Sequence, residues 1–206
     1  MSNSSYVIGL TGNIATGKSQ VAQMLARRGA EHIDADQLAH QVMARDTPAW
    51  QQIVEAFGRK ILDADGEIDR KQLGAIVFAS ESDLAQLEQI IHPAVIDCTE
   101  ERIASTEADV VVVEAIKLIE SGMVLRLCDV LWVVTAPREA QIQRLMDIRG
   151  LSRDEAVLRI DAQPSQSDKV ARADVVIDNS GTLEETERLV SCAWDQMERD
   201  RAARRG

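Results

Sequence analysis

Short β-branched runs punctuate the chain: YVIGLT at 6–11, EHIDAD at 31–36, DVVVVEA at 109–115, VLWVVTA at 130–136 and DVVID at 174–178. Valine and isoleucine follow one another in these runs with little polar alternation. That pattern predicts strands covered on both faces, as in a parallel sheet, and the stretches between them turn to helical spacing. The expected class is α/β, with five parallel strands flanked by helices.

Residues 37–105 contain no comparable strand. Thr47-Pro48 reads as a helix N-cap followed by a first-turn proline, and LAQLEQIIHPAVI (84–96) repeats apolar residues at helical spacing. This stretch is expected to be a helical insertion in the sheet domain. Ser152 with Glu155, and Thr182 with Glu185, form S/T-x-x-E capping boxes that open two further helices. The first lies in a polar segment, 150–172. The second begins a C-terminal helix whose end, RDRAARRG, is expected to fray, its cations suiting the C-terminal dipole.

Composition narrows the function. A chain of 206 residues suits one core with insertions. Its 34 acidic against 23 basic residues leave a net charge of -11, which disfavours nucleic acid and anionic membrane as partners. A small anionic ligand stays open, because a loop of backbone N–H groups binds phosphate locally. Cys98, Cys128 and Cys192 have no C-x-x-C spacing and are expected to be buried thiols in a reducing cytoplasm. No apolar run approaches a membrane span, and MSNSS has no basic signal-peptide start, so a soluble cytoplasmic protein is expected, monomeric or a weak homo-oligomer.

Directly behind the first strand stands GNIATGKS, Gly12 to Ser19, which spells G-x-x-x-x-G-K-[ST], and the amphipathic SQVAQMLARRG follows it. Strand, loop and helix are the context this phosphate-binding pattern requires. Amides from Ala15 to Ser19 would wrap a β-phosphate at the helix N-terminus, Lys18 would bridge the β and γ phosphates, and the Ser19 hydroxyl would ligate Mg²⁺. Glu114 ends the four-valine run. At the carboxyl end of a parallel strand it can hold the water shell of the metal, or it can serve a following helix as a first-turn acid.

HIDADQLAHQV puts Asp34 and Asp36 where the second strand stops, at the sheet end where ligands sit. Either carboxylate can accept or orient the proton of an acceptor hydroxyl. Asp34-x-x-Gln37 also fits an N-cap, so base and cap both remain open for these two residues.

The ordered series GLTGNIATGKS, HIDAD, FGRKILDADGEIDR (57–70), IIHP (90–93) and ADVVIDNSG (173–181) resembles the dephospho-CoA kinases over most of the chain. The resemblance implies a P-loop kinase core over 1–36, 106–142 and 173–206, a helical dephospho-CoA-binding domain over 37–105, and a helical lid over 143–172. It implies ATP and Mg²⁺, and transfer of phosphate to the ribose 3′-hydroxyl of dephospho-CoA to give coenzyme A. On its motifs Asp36 takes the general-base position. Gly12, Asn13, Ala15, Thr16, Gly17, Lys18, Ser19 and Gln20 make the nucleotide loop, Ser19 and Glu114 the metal site, and Asn179 and Gly181 the turn beside adenine. QRLMDIRGLSRDEA (143–156) resembles the lid and puts Arg144 and Arg149 at its arginine positions. From 138 to 172 seven cations stand against six acids while the chain is strongly acidic, which favours ligand contact, although a solvated salt-bridged helix gives the same count. His92-Pro93 matches a helical-domain motif, and a histidine on an apolar face reads as packed core.

The sequence departs from the family pattern in two places. Asn13 and Ala15 stand where the loop usually has glycine. Asn tolerates left-handed backbone angles, whereas Ala15 needs an ordinary conformation or strain. EAIKLIESG (114–122) stands for D-x-P-L-L-F-E-S-G, so Glu114 replaces Asp, Ile116 replaces proline, and Lys117 is a new cation that either meets substrate phosphate or lies at the surface. Glu120, Ser121 and Gly122 match. These departures leave two alternatives: a P-loop kinase for another small hydroxylated metabolite, or a catalytically silent CoA- or nucleotide-binding protein. A GTP switch lacks its N-K-x-D motif here.

Overall fold

The computed structural model describes residues 5–116, 118, 122 and 124–205. Lys117, Glu120 and Ser121 lie outside them. The chain divides into two compact units, Met1–Ile33 with Thr106–Gly206, and Asp34–Ser105.

The first unit is built on five strands: β1 (Tyr6–Thr11), β2 (Glu31–Asp34), β3 (Val110–Glu114), β4 (Val130–Thr135) and β5 (Val175–Asp178). Their spatial order is β2-β3-β1-β4-β5, with β1 parallel to both β3 and β4, and β4 parallel to β5. The chain goes to one side of β1 for β2 and β3 and crosses to the other for β4 and β5. The loop after β1 therefore opens at the switch point, outside the carboxyl ends of the strands.

Helix α1 (Lys18–Ala26) covers one face of this sheet. A strand turns every second side chain to the same face, so Val110, Val112 and Glu114 share one. Val110 and Val112 pack in one cluster with Ile8, Leu10, Val21, Met24 and Leu25, and that places Glu114 on the side of α1. The strands are shorter than their runs. EHIDAD stops being strand at Asp34, because Asp34 caps a helix that begins at Ala35.

The second unit holds α2 (Ala35–Val42), α3 (Pro48–Phe57), α4 (Arg70–Val77) and α5 (Glu81–Ser105) around Ile53, Phe57, Ile61, Leu73, Val77 and Leu87. Thr47 caps α3 by accepting from Trp50 N at 3.1 Å, with Pro48 in the first turn. Asp69 caps α4 through the amides of Lys71 and Gln72. The α5 helix runs through Pro93, whose missing N–H leaves the Gln89 carbonyl without its helical donor, and His92 beside it is half-buried. A cleft of about 520 Å³ opens among α2, α3 and α5, lined by Val42, Pro48, Gln52, Ile90, Pro93 and Asp97 among others.

The chain then returns to the first unit with α6 (Arg138–Arg149), α7 (Arg153–Asp161), α8 (Gln166–Val170) and α9 (Leu183–Arg205). Both predicted capping boxes form, Ser152 with Glu155 and Thr182 with Glu185. The expected frayed C-terminus is corrected. The α9 helix continues to Arg205, and Arg201 is buried, donating to the Asp109 carbonyl at 3.0 Å and lying 5.3 Å from the centre of the Tyr6 ring. A guanidinium with a carbonyl acceptor and an aromatic face holds the last turns against the sheet. The expectation of buried thiols is also corrected, since Cys98 and Cys128 are half-buried and Cys192 is exposed. Among the described residues no helix is long and apolar enough to cross a membrane.

Candidate active site

The loop after β1 turns at three positions for three reasons. A side chain at Gly12 would stand 2.4 Å from the Val134 carbonyl oxygen, so close approach of β4 requires glycine. Gly17 has φ +96°, and a Cβ there would lie 2.1 Å from Asn179 Nδ2. Ala15 carries the left-handed angle, φ +58°, and not Asn13 as its tolerance suggested. Asn13 does something else: it is buried and donates from Nδ2 to the Pro164 carbonyl at 3.0 Å. Beside it, Ile14 N donates to Gln163 Oε1 at 2.7 Å, and Ile14 and Ala15 pack on the cluster of Ile142, Leu145, Ala156 and Ile160 in the α6–α7 hairpin. The Ala15 methyl thus has apolar neighbours that a glycine would lack.

Thr16 is fully buried, with Oγ1 donating to the Asn13 carbonyl at 2.9 Å. Lys18, also buried, donates from Nζ to the Gly12 carbonyl at 3.0 Å. Ser19, in the first turn of α1, donates from Oγ to Glu114 Oε1 at 2.9 Å. The other carboxylate oxygen, Oε2, lies 3.0 Å from His32 Nε2. Burial pushes the Glu114 carboxyl up, but the hydrogen bonds from His32 and Ser19 and the charge of Lys18 outweigh it and hold the group below the usual carboxylate range. An ionised carboxylate only accepts, so Nε2 of His32 carries the proton in this pair.

Asn179 closes the loop from behind. It is buried, donates from Nδ2 to the Thr16 carbonyl at 2.8 Å, and accepts at Oδ1 from the Thr186 hydroxyl at 2.8 Å. Arg144 donates to the carbonyls of Ala15 (3.1 Å), Thr16 (3.2 Å) and Asn179 (2.8 Å). Its guanidinium therefore clasps loop and turn together, a positioning role that the sequence pattern alone did not suggest. Arg149, in the last turn of α6, is exposed. A cleft of about 390 Å³ is lined by Gly17, Gln20, Arg144, Ile148, Asn179, Gly181 and Leu183. Its size falls in the range of small-ligand sites, and it adjoins the start of α1. A side chain at Gly181 would meet Glu185 Oε2 at 2.1 Å.

Asp34 and Asp36 both belong to the helical unit. Asp34 accepts from Gln37 N at 2.9 Å and so is the cap of α2, while Asp36 stands exposed in the first turn of that helix. Four contributors escaped sequence reasoning: His32, Gln163, Thr186 and Lys169. The last is buried and donates to the Ile116 carbonyl at 2.9 Å, within the altered segment. His32 carried one usable signal, its position on the second strand two residues before Asp34, at the sheet end where ligands sit.

The donor set fits Mg²⁺. Among the described residues there is no group of three or more His, Cys, Asp or Glu arranged to hold a metal. A hydroxyl and one carboxylate at the loop suit a hard cation that keeps most of its water and takes its other ligands from phosphates.

Known proteins resemble this chain along nearly its whole length. The family model for dephospho-CoA kinase matches residues 6–185. A dephospho-CoA kinase of Geobacter sulfurreducens is 49% identical over 191 residues, which is 91% of this chain and 96% of that protein. A solved structure from Thermus thermophilus superposes with a TM-score of 0.81 at 34% identity, covering 93% of this chain and 97% of that one. The dephospho-CoA kinase from Campylobacter jejuni gives 0.70 at 27% identity, over 98% and 100%. With the loop and the carboxylate joined in one unit and the match running nearly end to end, the chain belongs to the dephospho-CoA kinase family.

Proposed function

We propose that this protein transfers the γ-phosphoryl group of ATP to the ribose 3′-hydroxyl of dephospho-CoA, giving coenzyme A and ADP. The observation that carries the reading is the convergence of Lys18, Ser19 and Glu114 at the N-terminus of α1 in a chain of this family. Amides from Ala15 to Ser19 cradle the β-phosphate, and Lys18 moves its ammonium from the loop carbonyls to the β and γ phosphates. Ser19 and Glu114 would hold Mg²⁺, which supplies charge neutralisation at the β and γ oxygens.

Adenine fits the cleft bounded by Gly17, Gln20, Asn179 and Gly181. Arg144 holds the walls of that cleft, and Arg149 supplies the cation over the γ-phosphate, where charge spreads in the transition state. Asp36 accepts the acceptor's proton, and residues 143–172 act as a lid. In the helical unit, the largely apolar cleft among α2, α3 and α5 suits the pantetheine end of the acceptor, because Asp97 and Glu101 there disfavour its diphosphate.

Mass spectrometry of dephospho-CoA incubated with protein, ATP and Mg²⁺ tests the reaction. A gain of one phosphate is expected with dephospho-CoA and none with shikimate. Phosphorylation of shikimate or a nucleoside in its place would establish a different acceptor, and binding of both ligands with no product would make the protein a silent CoA binder.

A further inference from the structure

We infer that His32 is a positioning residue of the phosphoryl-transfer site, holding the Glu114 carboxylate in the orientation that presents Oε1 to Ser19. The inference rests on the reading of Ser19 and Glu114 as the metal site and adds a residue that neither the loop pattern nor the family resemblance assigns.

Three observations carry it. First, β2 lies next to β3, so the side chain of His32 meets the end of the neighbouring strand, and its Nε2 stands 3.0 Å from Glu114 Oε2. Second, the two oxygens of Glu114 are used by different elements: Oε2 takes a donor from β2, and Oε1 takes the Ser19 hydroxyl from α1 at 2.9 Å. Third, the strand ends in glutamate, whose side chain has one more methylene and one more rotatable bond than that of aspartate. An aspartate at the strand end is oriented largely by the backbone. A glutamate needs a second anchor to present one oxygen to the metal, and partners of this kind around metal ligands fix ligand orientation and affinity.

Glu114 is 5% exposed, so its unanchored oxygen cannot simply turn to water. Lys18 also acts on this carboxylate through its charge. Pairing with it would draw the lysine away from the phosphates and the carboxylate away from Ser19. His32 thus keeps two loop groups available for their separate tasks.

The test reads metal binding directly, by electron paramagnetic resonance of Mn²⁺ titrated into the full-length protein with saturating ADP. His32→Ala is expected to weaken Mn²⁺ binding roughly tenfold, the lower end for loss of such a partner. His32→Gln, whose amide donates from a similar position, should recover most of it. In a Glu114→Asp background, His32→Ala should have no effect, because the shorter carboxylate no longer reaches Nε2. His32→Leu gives the same comparison if the alanine variant does not fold. Unchanged Mn²⁺ affinity in His32→Ala, beside a Glu114→Gln protein that has lost it, overturns the inference and leaves the metal site standing. An equal loss in the parent and in the Glu114→Asp background also overturns it, since the histidine would then act without the carboxylate. Unchanged affinity in Glu114→Gln as well overturns the metal-site reading itself.

Discussion

The side-chain amide of Asn179 donates to the carbonyl of Thr16 at 2.8 Å, joining the turn after β5 to the phosphate loop across 163 residues of sequence. The same amide accepts from Thr186, so one buried side chain ties loop, turn and α9. Asn179→Ala removes both bonds and leaves buried polar atoms short of partners, at a cost of about 2 kcal/mol. Asn179→Asp should be no better, because a carboxylate cannot donate to a carbonyl. Urea denaturation and the KM for ATP measure this. A variant with unchanged stability and unchanged KM would mean that the pin is idle.

Ala15 stores strain and recovers contact in the same place. Left-handed φ costs an alanine about 1 kcal/mol or more, whereas its methyl packs on the α6–α7 cluster, and a buried carbon contributes about 0.8 kcal/mol. Ala15→Gly also gains freedom in the unfolded chain, by about 0.4–1 kcal/mol. Global stability of Ala15→Gly should therefore stay within about 1 kcal/mol of the parent. Ala15→Val should lose about 1–3 kcal/mol, because a β-branched residue tolerates this φ poorly. Paired thermal melts distinguish the two. A strongly stabilised Ala15→Gly would show that the methyl contributes nothing.

Asp36 carries the chemical proposal. With the carboxylate neutralised in Asp36→Asn, kcat should fall by about 10²–10⁴ while Mg·ATP affinity is retained. Single-turnover kinetics with a separate ATP-binding measurement resolve the two effects. Near-normal turnover would remove Asp36 from the base role, and a large loss of ATP affinity would place it in nucleotide binding instead.

The α6–α7 hairpin should loosen in acid. Arg138 pairs with Asp161 through two hydrogen bonds, and Arg153 pairs with Glu139 through two more. Each arginine holds its carboxyl below the usual range by hydrogen bonding first and by charge second. A depressed folded pKa contributes stability that is present above the ordinary carboxylate value, near pH 4, and is lost as pH falls through the folded value. Hydrogen exchange in 138–161 should accelerate relative to the sheet below about pH 4, and high salt at neutral pH should reproduce part of the effect. Equal protection of the hairpin at pH 7 and pH 3 would show that the pairs do not hold it.

Thiol chemistry should separate the cysteines. Burial first, and the charge of Asp129 second, push the Cys128 thiol up to about 12, whereas Cys192 is exposed. At pH 8 an aromatic disulfide reagent should modify Cys192 in the native protein and reach Cys128 only after denaturation. Rapid native modification of Cys128, located by peptide mass mapping, would contradict the upward push on its thiol.

Sequence by itself determined the parts whose physics is local. Five runs of valine and isoleucine became five strands because uninterrupted β-branched stretches suit a sheet covered on both faces. The caps at Thr47, Ser152 and Thr182 form from residues three apart, and the strand–loop–helix phosphate motif lies within one short segment. The tertiary structure decided what depends on distant partners. It set the strand order, gave the left-handed angle to Ala15 and not Asn13, turned Arg144 onto three carbonyls, and buried Arg201 against the sheet. His32 with Glu114, 82 residues apart, belongs to this second kind. Periodicity and spacing record which way a side chain points along its own element, and a hydrogen bond between two elements depends on how the sheet brings them side by side.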